Sequence, residues 1–151
     1  MRCFSFYSRA RALTRTVVAA AMLLPMIALG QQAERFGDYE IHYSALPTGL
    51  LNDQVAESYD ILRSRTRGML MITILRNGEP VTGRVDVLAR DVDDELTEIP
   101  ARQVKDDQWV SYVGTFPVDE GDSLIFEVTV NPHEGGGPFE MAFKQTFYPG
   151  K

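Results

Sequence analysis

The chain has 151 residues, of which 44% are hydrophobic and 24% charged, with 15 basic residues against 21 acidic ones. This is enough for a single domain that buries one hydrophobic core. The formal net charge of −6 repels phosphate backbones and anionic membrane surfaces, which disfavours both as partners.

The first thirty residues have the pattern of a cleaved secretion signal. Basic positions come first, at Arg2, Arg9, Arg11 and Arg15. An apolar stretch over residues 16–29 follows, too short for a bilayer span, and ends in an Ala-x-Gly sequence typical of signal peptidase sites. We therefore predict cleavage between Gly30 and Gln31, with an uncleaved amphipathic or membrane-anchoring helix as the alternative.

Cleavage predicts a periplasmic domain over residues 31–151. This part keeps all 21 acidic residues and 11 of the 15 basic ones, because four arginines leave with the leader, so its net charge is 11 − 21 = −10. Cys3, the only cysteine, also leaves. Stability must then come from a hydrophobic core, since no disulfide can form.

The mature chain is predicted to begin with a polar leader over residues 31–35. Apolar and polar residues alternate over 36–46, which predicts a half-buried strand. Pro47 ends this strand, and Asn52 is predicted to cap a short helical turn that places Val55, Ala56 and Tyr59 on one face. Residues 61–66 are predicted to be extended.

Two strands are predicted over residues 70–89, meeting at Asn77-Gly78, a pair that tolerates the positive φ angles of a tight turn. Direct pairing about this turn would set Ile74 opposite Val81, Ile72 opposite Gly83 and Leu70 opposite Val85, on one apolar face. A connection that crosses between the two sheets of a sandwich would use the same turn and keep both strands.

The rest of the chain is predicted to be a series of strands between polar turns. A loop spans residues 91–95, and a weak strand follows over residues 96–104, which Pro100 assigns to a sheet edge. Asp106-Asp107 marks a turn. Further strands are predicted over residues 109–116, 124–130 and 139–147, with a glycine-rich loop over residues 131–138.

Seven or eight strands with one short helical turn predict an all-β, antiparallel sandwich of immunoglobulin-like architecture. A small closed barrel is the alternative, favoured if the last strand pairs with the first. The strand aromatics could line a ligand groove but are predicted to form the core, with Trp109 and Tyr148 at the surface.

Four short segments carry a family resemblance. They are Tyr59-Asp60-Ile61-Leu62-Arg63-Ser64, Met71-Ile72-Thr73-Ile74, the stretch from Gly121 to Pro132, and Phe143-x-x-x-Phe147-Tyr148. They resemble an uncharacterised family of small periplasmic proteins from Gram-negative bacteria, each with one domain of unknown function. The family's pattern is not followed at residues 94–98. The resemblance implies the location and the fold, and it implies no catalytic residue.

Metal binding has few candidate residues. His42 and His133, with Met69, Met71 and Met141, contain ligand types that copper accepts. No His-x-His sequence or methionine-rich run brings them together, so a surface histidine, a loop histidine and packing methionines are the favoured interpretation. Asp91, Asp93 and Glu95 alternate as calcium ligands do, but the remainder of an EF-hand loop is missing. No cofactor is predicted.

The sequence contains no motif of nucleophilic catalysis and one candidate docking strip. The sequence has no Gly-x-Ser-x-Gly motif, and no cysteine remains after cleavage, so nucleophilic hydrolysis is not supported. The alternating Arg63, Arg65 and Arg67 would share one face of an extended segment and could dock an acidic partner or a carboxylate ligand. Ion pairs with Asp60 or Glu57 are the alternative.

The sequence thus predicts a non-enzymatic periplasmic binding or accessory domain that presents a sheet face or edge to another envelope protein. A carrier of a small ligand or of copper, using His42, His133 or the aromatic face, is the second hypothesis. An uncharacterised enzyme is the third. The oligomeric state is left open.

Overall fold

The computed structural model describes residues 32–148, which form two antiparallel sheets packed face to face. Sheet A contains β1 (Gln32–Phe36), β2 (Tyr39–Pro47), β3 (Arg67–Arg76), β4 (Glu79–Pro80), β7 (Arg102–Asp106) and β8 (Trp109–Pro117). Sheet B contains β5 (Gly83–Arg90), β6 (Leu96–Glu98), β9 (Ser123–Pro132) and β10 (Phe139–Thr146). The strands are ordered β1-β2-β3-β8-β7 in sheet A, with β4 on β3, and β10-β9-β5-β6 in sheet B.

The predicted antiparallel sandwich is confirmed. Alternate residues of each central strand point inward and form one core between the sheets. Phe116 of sheet A lies 5.2 Å, ring centroid to ring centroid, from Phe126 of sheet B, and 5.5 Å from Phe147 beyond it. Trp109 and Tyr148 are 56% and 69% exposed, as predicted, so most of the strand aromatics fill the core and do not line a groove.

The number of strands is larger than predicted, for two reasons. The polar leader is a strand, β1, because Gly37 adopts a φ of +62° and turns the chain back so that β1 pairs with β2. Pro100 does not merely interrupt one weak strand, since the chain changes sheets there. β6 and β7 lie on the two sides of Pro100, at the edges of different sheets, which confirms its predicted edge location.

The direct pairing of the two strands at Asn77-Gly78 is wrong, and the crossover alternative is right. A short hairpin does form between β3 and β4, in which Leu75 lies opposite Pro80 and the Val81 N–H donates to Ile74 O at 2.9 Å. The chain then leaves sheet A, and β5 pairs with β9. The inner faces of β3 and β5 therefore face each other across the core, where each covers the apolar surface of the other.

The closed-barrel alternative is also wrong for the described residues. β10 forms a ladder with β9 alone, and β1 with β2 alone. The first and last strands meet only through side chains. Phe36 of β1 and Phe139 of β10 stack with ring centroids 4.8 Å apart, and the ring of Tyr43 on the neighbouring β2 lies 4.3 Å from that of Phe143 on β10.

The connection from β2 to β3 lies on the outer face of sheet A, and we call residues 48–66 the cover segment. It holds a 3₁₀ turn (Thr48–Leu50) and α1 (Asp53–Ser58). Asn52 caps α1 as predicted, since its Oδ1 accepts the Val55 N–H at 2.8 Å. The expected extended run over residues 61–66 is not a strand, because residues 65 and 66 form a turn in which Thr66 N–H donates to Ser64 Oγ.

The predicted leader and the cleavage site at Gly30 and Gln31 lie outside the described residues. In the part of the chain that is described, none of the helices has the length and apolar character needed to cross a bilayer.

We predict that Tyr112→Phe destabilises the protein. The Tyr112 hydroxyl accepts the buried Gly83 N–H at 2.8 Å, at the point where the chain enters sheet B. Without it the donor is left unpaired, which costs about 1–3 kcal/mol of unfolding free energy in urea denaturation. The exposed Tyr148→Phe is the control and is expected to change nothing. Equal stability of the two variants would contradict this assignment.

Candidate functional site

The outer face of sheet A differs from the outer face of an ordinary two-sheet sandwich because part of it is covered. Leu51, Ala56 and Ile61 of the cover segment pack on Met69 and Val113 of sheet A and form a second apolar cluster. Met69 is consequently only 2% exposed, although it points away from the shared core. The central strand β3 is therefore buried on both faces over most of its length.

Tyr59 of the cover segment borders an open depression, which we call the outer groove. Its volume is about 260 Å³, and it is lined by His42, Tyr59, Met71, Thr73, Leu75, Val104, Asp106, Trp109 and Ser111. One row of cross-strand neighbours runs through it, from His42 on β2 to Thr73 on β3, Ser111 on β8 and Val104 on β7. Strand register therefore brings together residues that are far apart in the sequence.

One wall of the groove is fixed by a bond between elements. Arg102 of β7 donates through its Nη2 to the backbone carbonyl of Tyr59, and the Asp60 carbonyl lies 3.5 Å from the same nitrogen. This contact holds the end of α1 against the edge of sheet A. Tyr59 is thereby kept at the groove without any contribution from a ligand.

The middle of the row is a pair of buried hydroxyls. Thr73 Oγ1 and Ser111 Oγ lie 2.8 Å apart, and the two residues are only 6% and 8% exposed. Because each hydroxyl has the other as its partner, this polar spot in an otherwise apolar face is satisfied. The pair supplies polar atoms beneath the groove without an unpaired buried group.

His42 is held by an acidic neighbour. Its Nε2 lies 2.8 Å from Glu40 Oε1, and the other Glu40 oxygen, Oε2, lies 3.1 Å from Arg35 Nη2. The imidazole is thus engaged along its own strand, at residue i−2, and not by the hydroxyl pair across the ladder. The prediction that His42 faces solvent holds only in part, since about a quarter of its side chain is exposed.

Trp109 and Asp106 form the open rim of the groove. They are opposite each other at the β7–β8 hairpin, whose turn at Asp107 has a φ of +52°. Trp109 is 56% exposed and is the only tryptophan of the chain. None of the nine lining residues is a lysine or an arginine, and Asp106 has no ion pair within residues 32–148.

Of the other predicted ligand residues, Met71 lines the groove, while Met69 and Met141 are buried in the two apolar clusters. The remaining candidates lie elsewhere. His133 follows β9, where its Nδ1 lies 3.1 Å from Thr82 Oγ1. Asp91 Oδ1 accepts the N–H groups of Asp93 and Glu95, both at 2.9 Å, so the acidic loop closes on its own backbone. No group of three His, Cys, Asp or Glu side chains that could hold a metal occurs among the described residues.

The three arginines of the predicted docking strip have different surroundings. Arg63 pairs with the Asp53 carboxylate and donates to Gly49 O at 3.2 Å, so its partner is Asp53 and neither Asp60 nor Glu57. Arg65 lies in the turn before β3. Arg67 starts β3 and lines a second depression beside Leu62 and Pro117. They do not share the face of one regular strand, which is the geometry the alternation had suggested.

Two side chains outside the groove, Arg76 and Tyr43, have raised pKa values. Glu134, 3.0 Å from Arg76 Nη1, raises the pKa of this guanidinium through their hydrogen bond. Arg76 also lies over the Tyr39 ring, 5.3 Å from its centroid. Partial burial, and then the charge of Glu34, raises the pKa of the Tyr43 hydroxyl.

The sequence predicts His42 and Met71 as candidate ligands but does not predict the groove that both line. Its patterns place Tyr59 on a helical face and Thr73 on a mixed strand face. The exposed Trp109 was the one signal that pointed to this site, because a large aromatic at the surface is often a contact residue. The register that sets Asp106 beside it is a tertiary fact.

Comparisons with known proteins give a family and a fold. The model of a family described as a domain of unknown function, DUF4426, matches residues 33–150. The chain is similar to the crystal structure of a DUF4426 family protein from Pseudomonas aeruginosa PAO1, with a TM-score of 0.70 and 25% sequence identity over 81% of this chain and 98% of that one. No curated protein matches the sequence.

We predict that the hydroxyls of Thr73 and Ser111 are energetically coupled. Thr73→Val leaves the Ser111 hydroxyl buried without its partner and should cost about 1–2 kcal/mol of unfolding free energy. The double variant Thr73→Val, Ser111→Ala removes both hydroxyls, so its loss should be smaller than the sum of the single losses by about 1 kcal/mol. Urea unfolding of the unmodified protein, the two single variants Thr73→Val and Ser111→Ala, and the double variant measures this coupling. Strictly additive losses of unfolding free energy would contradict it.

Proposed function

The chain belongs to the DUF4426 family, and we propose that it is a non-enzymatic binding domain of the periplasm. It docks another envelope protein on the outer face of sheet A and receives one side chain of this partner in the outer groove. The observation that carries the proposal is the exposed Trp109 at the rim of a depression on an otherwise covered sheet face.

Trp109 supports docking because of its size and its exposure. A tryptophan that is 56% exposed keeps a large apolar ring in water, and this surface is removed from water when a partner covers it. Tryptophan is enriched among the residues that dominate binding energy at protein interfaces. Covering this face with a protein partner is therefore more favourable than leaving the Trp109 ring in water.

The rigidity of the groove supports binding as well. Tyr59 is held by Arg102, and the Thr73 and Ser111 hydroxyls satisfy each other. A site that is already formed loses little conformational entropy when it is occupied, so more of the contact energy contributes to affinity.

The polar groups of the groove favour binding over catalysis. A serine or threonine nucleophile needs a base bonded to its hydroxyl. Here the Ser111 hydroxyl bonds to Thr73, and His42 Nε2 lies against Glu40. Neither of these hydrogen bonds joins the histidine to a hydroxyl that it would have to activate.

The location of the partner rests on the sequence. The basic, apolar and small-residue pattern of residues 1–30 supports export and cleavage, and an exported domain meets its partners in the envelope.

The three other hypotheses receive different support. A small ligand carried in the same groove is the second candidate, because a volume of about 260 Å³ with aromatic and hydroxyl lining suits a small organic molecule. Copper carriage by His42 and His133 is not retained, since they lie on different elements with different partners. The arginine strip is not retained either, because Asp53 engages Arg63.

We predict that a photo-crosslinker beside Trp109 captures the partner in intact cells. Benzoylphenylalanine at Gln108, in the exposed β7–β8 turn, should give a discrete adduct, while the same residue at Val92, in an exposed turn after β5, should not. Introducing Trp109→Ala should reduce the Gln108 adduct by about tenfold, as expected for a central contact residue.

The crosslinking result has three contrary outcomes. Equal adducts from Gln108 and Val92, an adduct that Trp109→Ala leaves unchanged, or no adduct from Gln108 would each contradict docking at this face. Tyr148→Ala removes another exposed aromatic, 69% exposed, and is the matched control for the tryptophan substitution.

A further inference from the structure

We infer that the side chain received in the outer groove is basic, an arginine or a lysine of the docked partner. This inference rests on the proposed docking function and adds its chemistry. The aliphatic stem would lie along the apolar lining, and the cationic head would lie between the Trp109 ring and the Asp106 carboxylate.

The apolar lining fits the stem of such a side chain. Met71 and Leu75 of β3 and Val104 of β7 contribute apolar surface to the same depression. Lysine and arginine bury their methylene groups along surfaces of this kind while the charged end stays near water. A short acidic or polar side chain has no comparable stem with which to fill it.

The aromatic residues fit the cationic head. Trp109 and Tyr59 line the same groove, and an aromatic face attracts a guanidinium or ammonium group within about 6 Å of its centroid. The protein already uses this contact once, since the Arg76 guanidinium lies 5.3 Å from the centroid of the Tyr39 ring.

The charge of the groove selects the sign of the occupant. Asp106 is exposed, lies opposite Trp109 and has no ion pair within residues 32–148. The basic residues nearest to it on β7 do not compete. Arg102 is bonded to the carbonyls of Tyr59 and Asp60, and strand alternation turns Lys105 to the opposite face.

The charge of the whole protein acts in the same direction. The net charge is −6 for the full chain and 11 − 21 = −10 for residues 31–151, and either value speeds the approach of a basic surface and slows that of an acidic one. Local and global electrostatics therefore both favour a cationic side chain.

The test uses two peptides that differ only in charge. Acetyl-Gly-Arg-Gly-amide is compared with acetyl-Gly-citrulline-Gly-amide, in which the neutral urea group replaces the guanidinium at nearly the same size. Trp109 is the only tryptophan, so its fluorescence reports occupancy of the groove directly in the purified protein. We expect saturable binding of the arginine peptide, about tenfold tighter than that of the citrulline peptide, and weakening by added salt.

Two variants locate the charge effect. Asp106→Asn should weaken the binding of the arginine peptide roughly fivefold and leave the affinity for the citrulline peptide unchanged. Asp93→Asn removes an exposed acid from the loop after β5 and should change neither affinity.

The outcomes separate this inference from the docking proposal. Three results would overturn the inference that the occupant is basic: equal binding of the two peptides, tighter binding of acetyl-Gly-Glu-Gly-amide, or no effect of Asp106→Asn. If the adduct at Gln108 then still depended on Trp109, docking would stand with a neutral or acidic occupant. Loss of the adduct with intact arginine-peptide binding would instead overturn docking alone.

Discussion

The structure depends on one constraint, that the central strand β3 must bury both of its faces. Its inner residues Leu70, Ile72 and Ile74 fill the core between the sheets, while Met69 on the other face would lie in water if the sheet were bare. The cover segment meets this need by packing Leu51, Ala56 and Ile61 on the outer face. The cover segment is short and does not cover the strand completely, and its Tyr59 lies at the border of the covered part. The outer groove is the part of this face that remains open.

The groove owes its character to this incomplete coverage. A fully covered face would be core, and an uncovered face would need polar residues throughout. At the boundary, apolar residues such as Leu75 and Val104 remain partly accessible beside Trp109 and Asp106. The contact from Arg102 to Tyr59 fixes where the boundary lies. A preformed depression with apolar lining, an aromatic rim and the carboxylate of Asp106 is suited to recognising a side chain that has an aliphatic stem and a cationic head.

Several sequence predictions held because they depend on local chemistry. Asn52 caps its helical turn through its own side chain, and Pro100 lies between two edge strands because it lacks the donor an inner strand requires. The resemblance to a family of unknown function, carried by motifs such as Met71-Ile72-Thr73-Ile74, is confirmed by the match over residues 33–150. Other predictions failed where local chemistry was ambiguous. The polar residues of β1 gave no sign of a strand, since its pairing with β2 comes from a ladder and a glycine turn.

The sequence by itself determined the antiparallel sandwich, most of the strands and that most of the strand aromatics are buried, because period-two alternation indicates which side chains leave water. Only the tertiary structure decided that the chain crosses between sheets after Pro80, that Arg63 pairs with Asp53, and that His42, Thr73, Ser111 and Val104 form one row. Alternation fixes the face on which a residue lies but not its neighbour on the next strand. The neighbour depends on strand order and register, which are set by packing across the whole domain.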